Sequence, residues 1–435
     1  MRFRDFHPNV KIRIYVSFIT SFAQSLTFPF MAIYFAQYFG EAFTGLLFLA
    51  SILLSMATGF YGGYFADRVG RKKLMVLSEA VFFGGYFLTM MANSPWLISP
   101  EITAFTFLVI SAFWGIYGPA GDAMLLDVTT SENRTLMYSI MYWSHNLTLA
   151  VGASIGAFFF EKHRFILFTV MTGAVLISLV TTIFMIQETY DAKKEREERE
   201  RIRGQKDGFL RNYLLVIKDT PFMLFGLASM LIATLEFQLQ NYIGIRLAKE
   251  VPAQSLFGIS FNGVNLLGFL QTENTVLVVL LAAFAAVIIR RFPQEKVLYL
   301  GSFLYITGYS MITAASLPLL LLAAMFLATI GEVIKVPVQQ SLFAEMIPSH
   351  SRSAYIAVNG FVWQGARVLS SLGVLLGTVL NGWEMGLVAF FMGMGGMFLY
   401  RWVMPEIQAR RAKRHKAEET LSPNHDEKGE VVIGS

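Results

Sequence analysis

Long apolar runs separated by short polar stretches fill the chain between residues 11 and 402. Each run is close to the roughly 20 residues that a helix needs to cross a hydrocarbon core about 30 Å thick. Lipid offers the backbone no hydrogen-bond partners, so runs of this length predict membrane-spanning helices. We count twelve such spans: 11–38, 42–66, 73–93, 102–126, 136–160, 164–187, 219–247, 272–290, 296–316, 318–346, 353–379 and 383–402.

The stretch before the eighth span has a mixed pattern. It reads VPAQSLFGISFNGVNLLGFLQTEN from residue 251 to residue 274 and is half apolar. Such a composition fits either a long loop or the first part of the eighth helix. Both alternatives stay open for this stretch, and the apolar span itself is placed at 272–290.

Composition supports a membrane protein built of helices. Hydrophobic residues make up 55% of the 435 residues and charged residues only 15%, against about 25% in a typical soluble domain. The chain contains no cysteine, which excludes disulfides and thiolate metal sites. Metal-ligand spacings, nucleophile motifs and phosphate-binding loops are also missing from the sequence. We therefore predict neither an enzyme nor a bound cofactor or metal.

Lysine and arginine residues cluster on one side of the predicted spans. They occur after span two, in the stretch 191–212, after span eight and in the tail segment RRAKRHK, whereas NSPWLISPE and NGWE on the other side contain none. Basic loops stay on the cytoplasmic side, so both termini are predicted to be cytoplasmic. The net charge of +5 is a topology signal here and does not indicate nucleic-acid binding.

A linker and a repeat predict two six-span halves. The charged segment 188–218 separates a first half, 1–187, from a second, 219–402, and residues 403–435 form a cytoplasmic tail that is predicted to be disordered. PAGDAMLLDVTTSENR in the first half matches PVQQSLFAEMIPSHSR in the second, since each has a proline, an acid eight residues later and an arginine seven after that. Duplicated halves of this kind are the architecture of transporters that bind substrate between the halves and rock them to give alternating access.

The segment GGYFADRVGRKKLM, residues 62–75, lies between spans two and three and carries a known pattern. The residues that match G-x-x-x-D-R-x-G-R-[RK] are Gly63, Asp67, Arg68, Gly70, Arg71 and Lys72. With this signature in this place, and with the stretches YWSHNLTLAVGASIGA and GEVIKVPVQ, the chain resembles the major facilitator superfamily and its twelve-span drug/proton antiporters. The resemblance implies an all-α membrane protein of two pseudo-symmetric six-helix bundles.

The resemblance also implies roles for four residues. Asp67 matches the acid of the signature, and Asp127 matches an acid at the inner end of span four that engages the signature. Glu332, in IGEVI, matches a membrane-embedded acid that binds cationic drugs and takes part in proton coupling. Arg13 matches a basic residue at the start of span one.

Ionisable residues inside predicted spans cost roughly 2.5–3.5 kcal/mol each and are therefore paired, facing a cavity or functional. The candidates are Glu79, Asp122, Asp127, Glu236, Glu332, Lys335 and Arg367. Glu332 lies near mid-membrane, where desolvation disfavours the charged form, so it can hold a proton or exchange it for a cation. It can instead pair with Lys335, because residues three apart share a helix face. Glu79 is expected to balance the charges of the signature.

Acids and bases near the inner ends of spans two and four predict a gate. Asp127 is expected to pair with Arg68 or Arg71 and hold the cytoplasmic side closed until protonation cancels the pair. Asp67 would act in the same latch, and Asp122, a turn and a half deeper, is a candidate for proton coupling. The alternative is anchoring at the membrane interface without any coupling.

A substrate cavity between the halves is the second predicted site. Its candidate residues are Glu236, Gln240, Glu332, Tyr142, Trp143, Trp363 and Arg367. Aromatic rings suit varied apolar cations, although aromatic residues are also ordinary lipid-facing side chains. Arg367 would need a counter-ion in such a cavity, and Glu236 or Glu332 could supply it.

These observations predict a proton-coupled secondary transporter of the bacterial inner (plasma) membrane that exports lipophilic, cationic drugs. Its partners would be a small lipophilic substrate, protons and membrane lipids, with no nucleic acid, and it would act as a monomer. A transporter of the same fold for one dedicated metabolite is the alternative. Met141 and Gln240 favour that alternative, because the drug exporters that this chain resembles have acidic residues at these two positions. A receptor without turnover is a third reading, against which the retained gate and buried acid argue.

Overall fold

The computed structural model describes Phe3 and residues 6–129, 131–189, 215–252, 254–256, 259–347 and 352–421. Within these residues lie fourteen α-helices: α1 Pro8–Ser25, α2 Met31–Phe39, α3 Glu41–Val69, α4 Arg71–Met91, α5 Pro100–Asp127, α6 Ser131–Phe159, α7 Arg164–Phe184, α8 Thr220–Gln238, α9 Gly244–Glu250, α10 Gly263–Arg291, α11 Gln294–Ala314, α12 Pro318–Met346, α13 Arg352–Leu376 and α14 Gly382–Leu421.

Short segments join or follow some of these helices. A 3₁₀ turn, Phe28–Phe30, links α1 to α2, and a π-helical segment, Leu239–Ile243, links α8 to α9. Two antiparallel hairpins follow α4 and α9: β1 Asn93–Ser94 pairs with β2 Leu97–Ile98, and β3 Gln254–Leu256 pairs with β4 Ile259–Phe261.

The fourteen helices make twelve crossings, because α1 and α2 together form the first and α8 and α9 the seventh. Ten of the crossings are both long and apolar enough to span a membrane over the described residues. The other two, α6 and α13, have 29 and 25 residues, which is enough for a core about 30 Å thick at a rise of about 1.5 Å per residue. The predicted all-α architecture with twelve crossings is confirmed.

The eighth crossing begins earlier than its hydrophobicity indicates. Helix α10 starts at Gly263 and not at residue 272, so the start of the predicted span is wrong, and the stretch divides into a hairpin before Asn262 and the first turns of the helix after it. Asn262 provides the start signal, since its Oδ1 accepts a hydrogen bond of 2.8 Å from the backbone N–H of Asn265. As a result, Glu273 and Asn274 lie about three turns inside the helix.

The last helix is longer than predicted. Helix α14 continues to Leu421, so the expectation of disorder is wrong for residues 403–421. This part of the chain is rich in alanine, glutamate, lysine and arginine, which favour helices, and Arg410 Nε lies 3.1 Å from Glu406 Oε1 one turn earlier. Residues 422–435, and residues 190–214 of the predicted linker, lie outside the described part of the chain.

The two six-crossing halves meet at one end of the bundle. Helix α1 begins and α14 ends at the same end, here called the terminal end, and the opposite end is called the far end. Hydrogen bonds and ion pairs between the halves, in the described residues, join Glu41 to Lys249, Ser154 to Thr272, Ala157 to Asn265 and Glu161 to Asn262. These contacts lie at or towards the far end. Helices α6 and α10 approach closely there, because a Cβ at Gly268 would collide with Ala157.

Candidate functional site

Glu332 occupies the centre of a polar cluster in the second half. It is the middle residue of the 29-residue helix α12. Its Oε2 accepts a hydrogen bond of 2.7 Å from Asn274 Nδ2 on α10, and the same amide nitrogen lies 3.1 Å from Thr329 Oγ1. The early start of α10 is what brings Asn274 to this depth. The acid is therefore held inside the protein by an amide.

Glu236 and Lys335 complete this cluster around one tyrosine. Tyr305 on α11 donates a hydrogen bond of 3.1 Å to Glu236 Oε2 on α8. Lys335 Nζ lies 3.7 Å from the centroid of the Tyr305 ring, a cation–π contact, and the lysine is only 4% exposed. Helices α11 and α12 pack tightly enough for this because Gly331 has no side chain; a Cβ there would collide with the Tyr305 backbone.

The ion pair between Glu332 and Lys335 that helical spacing allows is not formed. The Lys335 ammonium is directed to the Tyr305 ring, and over the described residues it makes no contact within 4.0 Å of a carboxylate. The lysine still interacts electrostatically with both Glu236 and Glu332, and the two acids interact with each other. With all three groups ionised, the cluster carries one more negative than positive charge. One proton or one monovalent cation would balance it.

Two further buried polar groups, on the helix that carries Asn274, were not recognised from the sequence. Glu273 on α10 has its Oε2 buried without a hydrogen-bond partner among the described residues, and both amide atoms of Gln271 are buried in the same condition. The sequence signal was QTEN, residues 271–274, in which three polar side chains and one acid follow an apolar run. It was missed because beginning the span at residue 272 placed these residues at the membrane surface.

Gln240 does not join this cluster by any hydrogen bond between described residues. It lies in the π-helical segment after α8, where the neighbouring Asn241 Nδ2 donates to Ser370 Oγ on α13 at 2.7 Å. Segments of π-helix are frequent at functional sites, because the wider turn redirects side chains. The π-helical segment is therefore joined to α13 by the hydrogen bond between Asn241 and Ser370.

The aromatic and arginine candidates form a second group on α8 and α13. Trp363 packs edge-on against Phe237, with ring centroids 6.2 Å apart, and is 50% exposed. The guanidinium carbon of Arg367 lies 5.5 Å from the centroid of the same Phe237 ring. Trp143 on α6 is 61% exposed, and the side chain of Tyr142 lies outside what the structure describes.

The expected counter-ion of Arg367 is wrong. Arg367 contacts a ring instead of a carboxylate, and no ion pair within 4.0 Å joins it to Glu236 or Glu332 among the described residues. It does interact electrostatically with His145 on α6, in the other half. Arg367 is therefore a positive group at the interface between the halves.

The signature segment forms a capped turn at the terminal end. Helix α3 ends at Val69, Gly70 takes a backbone φ of +108°, and α4 begins at Arg71. The Glu188 carboxylate accepts hydrogen bonds from the backbone N–H groups of Arg71 at 3.1 Å and Lys72 at 3.2 Å. An anion at a helix N-terminus satisfies free N–H groups and the helix dipole. Sequence reasoning had assigned Glu188 to the linker and missed this contact.

Asp127 lies beside the signature. Its Oδ2 is 3.4 Å from Arg71 Nε and accepts a hydrogen bond of 2.7 Å from the Thr189 hydroxyl. Arg71 is thus one of the two basic neighbours that the sequence proposed for it. The side chains of Asp67 and Arg68 lie outside the described part of the chain, so their place in the gate stays a prediction.

Glu79 does not balance the charges of the signature, and that expectation is wrong. Its Oε1 accepts hydrogen bonds of 2.9 Å from the Tyr117 hydroxyl on α5 and from the Ser178 hydroxyl on α7. Arg13 on α1 donates to the same Tyr117 oxygen and interacts electrostatically with Asp122. The first half therefore contains a buried polar group of its own.

Comparison with known proteins identifies the family. The family profile described as Major Facilitator Superfamily matches residues 14–370. The chain belongs to the major facilitator superfamily. A Na(+), Li(+), K(+)/H(+) antiporter of Planococcus maritimus is 29% identical over 414 residues, which cover 93% of this chain and 97% of the relative. Multidrug resistance protein MdtH of Yersinia enterocolitica is 24% identical over 365 residues, which cover 82% of each chain.

Solved structures agree with the major facilitator fold. A crystal structure of peptide transporter POT in complex with sulfate superposes with a TM-score of 0.69 at 15% identity, covering 94% of this chain and 97% of that one. At this identity the likeness concerns the fold alone. Together with the family, it establishes a multi-pass membrane transporter and not an enzyme.

Proposed function

We propose that this major facilitator protein is a proton-coupled antiporter that exchanges protons for a monovalent cation at Glu332. The observation that carries the proposal is the excess of acid over base in the cluster of Glu236, Glu332 and Lys335, in which the lysine is buried, Glu332 is half-buried and Glu236 is exposed. An unbalanced charge in a low-dielectric site is costly, so the cluster favours binding one positive charge at a time. A proton and a cation then compete for one place, which is the requirement for antiport.

A lipophilic organic cation is the first candidate for the exported substrate. Phe237, the residue after Glu236 in α8, packs edge-on against Trp363, and these rings can bury the apolar substituents of such a substrate. The Phe237 ring is already contacted by Arg367, so the positive charge of the substrate is assigned to the acids of the cluster. The similarity to a multidrug resistance protein supports the same substrate class.

An alkali cation is the second candidate. Carboxylate and hydroxyl oxygens lie near Glu332, and hard monovalent cations also prefer oxygen ligands. The similarity to a Na(+), Li(+), K(+)/H(+) antiporter supports this substrate class. Both candidates use the same charge exchange and differ in the size of the cation.

The terminal end is proposed to be cytoplasmic, in the inner membrane of a bacterium, with the protein acting as a monomer. The basic segments lie at this end, as the positive-inside rule requires. Because the contacts between halves lie towards the far end, the structure would then represent a state closed to the outside.

The exchange is tested in proteoliposomes with an imposed pH gradient and an internal pH-sensitive dye. Ethidium, Na⁺, Li⁺ and K⁺ are added in turn to wild type, to Glu332→Gln and to Glu384→Gln, a control acid at the exposed start of α14. We expect cation-induced proton movement in the wild type and in the control, and its loss in Glu332→Gln, because an amide cannot release a proton.

The outcome also separates the cargoes. Movement with ethidium identifies a lipophilic cation, and movement with Na⁺, Li⁺ or K⁺ identifies an alkali cation. Undiminished exchange in Glu332→Gln would refute the assignment of this acid. Transport of one neutral metabolite, with none of these cations active, would favour the dedicated transporter instead.

A further inference from the structure

A buried acid in the first half has no part in the function proposed above. Glu79 on α4 is 2% exposed, and its two hydrogen bonds, from Tyr117 and Ser178, both end on Oε1. The other carboxylate oxygen, Oε2, is buried and has no hydrogen-bond partner among the described residues. Buried carboxylate oxygens are normally paired, so a free one points to a ligand that comes and goes.

The basic residue beside Glu79, Arg13, also has a buried polar atom without a hydrogen-bond partner among the described residues. Arg13 on α1 is 8% exposed, donates to the Tyr117 hydroxyl, and lies with its guanidinium carbon 5.1 Å from the Tyr117 ring centroid. Its Nε is buried without a partner among the described residues. Arg13 interacts electrostatically with Glu79 on one side and with Asp122 on the other. It therefore stands between two acids without a direct ion pair to either.

The two halves carry corresponding clusters. Each contains two acids, one buried base and one bridging tyrosine: Glu79, Asp122, Arg13 and Tyr117 in the first half, and Glu236, Glu332, Lys335 and Tyr305 in the second. Tyr117 and Lys335 both stand two residues before the proline of the sequence repeat, Pro119 and Pro337. Each group thus draws on the first, third and fourth crossings of its half and has one more acid than base, although the residue types at equivalent places differ.

We propose that Glu79 is a second proton-exchanging carboxylate, and that Arg13, which forms a direct ion pair with neither acid here, pairs with Asp122 when Glu79 is protonated. The proton adds to Oε2, forming one O–H bond, and no other covalent bond changes. The charged or titratable groups shown to interact with Glu79 are Arg13 from α1 and Tyr117 from α5, while α7 contributes the Ser178 hydroxyl; Asp122 on α5 interacts with Arg13. The coupling of this step to transport rests on the proposed antiport.

The first experiment reads protonation directly and does not depend on transport. Infrared difference spectra of the purified protein are recorded across a pH titration for wild type, Glu79→Gln and Ser178→Ala. We expect a band of a buried protonated carboxylic acid that rises as the pH falls, is absent in Glu79→Gln and persists in Ser178→Ala. A wild-type titration that Glu79→Gln leaves unchanged overturns the proposal.

The second experiment counts protons per transported cation from the reversal potential in proteoliposomes. We expect the number to fall by one in Glu79→Gln, with cation binding retained, and to stay at the wild-type value in Ser178→Ala. An unchanged number in Glu79→Gln overturns the coupling. If the wild type moves no protons, the proposed antiport fails, and the infrared titration still decides whether Glu79 exchanges a proton.

A double variant keeps the test open if Glu79→Gln alone does not fold. Arg13→Gln with Glu79→Gln removes one charge of each sign, so the net charge of the buried group is preserved. We expect this protein to lack both the infrared band and one proton per cycle. Restoration of the wild-type proton number would mean that Glu79 only neutralises Arg13, which contradicts the proposal.

Discussion

Three charged side chains in the described part of the helix bundle are held by hydroxyl, amide or aromatic groups and not by direct ion pairs, whereas Arg71 and Arg246 are ion-paired. Lys335 rests on the Tyr305 ring, Arg13 on Tyr117, and Glu332 on the Asn274 amide. A tight ion pair would fix both charges and resist neutralisation, since breaking it leaves an unpaired buried charge. Neutral partners allow an acid to change its charge while its hydrogen bonds remain. This arrangement suits groups that exchange protons.

The backbone conformation of Gly70 is a further feature at the residue scale. Its φ of +108° is strained for any residue with a side chain, and an added Cβ would lie 2.7 Å from Glu188 Oε2. We predict that Gly70→Ala destabilises the protein by about 1–3 kcal/mol and displaces the Glu188 cap from α4. The melting temperature in detergent measures the effect.

Gly84→Ala is the matched control for Gly70→Ala. Gly84 lies inside α4, the helix that begins directly after Gly70, and an added Cβ there would meet no atom within 4 Å. Alanine is preferred to glycine inside helices by roughly 0.5–1 kcal/mol, so the melting temperature should stay level or rise. Equal losses in both variants would contradict the strain at Gly70.

At the element scale, the extended helix α14 is fastened to the start of α8. Arg410 donates hydrogen bonds of 2.8 Å to both oxygens of Asp219, and Tyr355 donates another of 2.7 Å. Asp219 also caps α8, since its Oδ1 accepts from the backbone N–H of Phe222. One carboxylate therefore joins α8, α13 and α14 at the terminal end of the second half.

We predict that Asp219→Asn lowers stability by about 1.5–3 kcal/mol, the usual contribution of hydrogen bonds to a charged group. Asparagine keeps the oxygen that caps α8, but its NH2 group replaces the oxygen that accepts from Arg410 and Tyr355, so the variant removes the ion pair and those two hydrogen bonds. Glu406→Gln, which alters the more exposed partner of Arg410, should have a smaller effect. Thermal unfolding in detergent measures both, and equal effects would argue against the role of Asp219.

The same contact gives a pH dependence. Burial raises the pKa of Asp219, but the hydrogen bonds and charge of Arg410 and the Tyr355 hydroxyl outweigh it and leave the pKa below its usual value. The stabilisation is therefore complete above the unfolded value of about 3.9 and is lost as the pH falls through the lower folded value. The difference in melting temperature between wild type and Asp219→Asn should shrink under strong acid.

At the scale of the whole molecule, the hydrogen bonds and ion pairs that join the two halves in the described residues lie towards the far end. Gly268 lets α10 lie against α6, and the Ser154 and Thr272 hydroxyls meet across the interface. Alternating access requires this joint to open while the terminal end closes. The seal lies only a few residues from Asn274, so a change of charge at Glu332 occurs directly beside the surfaces that must separate.

We predict that a disulfide across this seal stops transport. The chain has no cysteine, so the pair Ser154→Cys with Thr272→Cys can be introduced without background. Oxidation should lock the halves together and abolish cation-driven proton movement, and a reductant should restore it. Thr89→Cys with Thr106→Cys, whose hydroxyls lie 2.7 Å apart within the first half, is the control and should transport in both states. Full transport by the oxidised interface pair would refute the rocking of the halves.

The number of membrane crossings could be predicted from the sequence, but the ends of two helices could not. Apolar runs located all twelve crossings, because hydrocarbon thickness sets their length regardless of neighbours. The start of α10 and the continuation of α14 were missed, because capping by Asn262 and contacts such as Arg410 to Asp219 decide where those helices begin and end. Hydrophobicity alone carries no information on either feature.

The sequence by itself determined the all-α membrane class, the repeat around Pro119 and Pro337, the family signature and the place of Glu332 at the middle of its helix. These follow from local composition and spacing, which lipid thickness and helix geometry constrain directly. Only the tertiary structure decided that Lys335 meets Tyr305 instead of Glu332, that Glu188 caps the signature, and that Glu79 shares Tyr117 with Arg13. Those partners are far apart in the chain, and helix packing alone selects among the many pairings that the sequence permits.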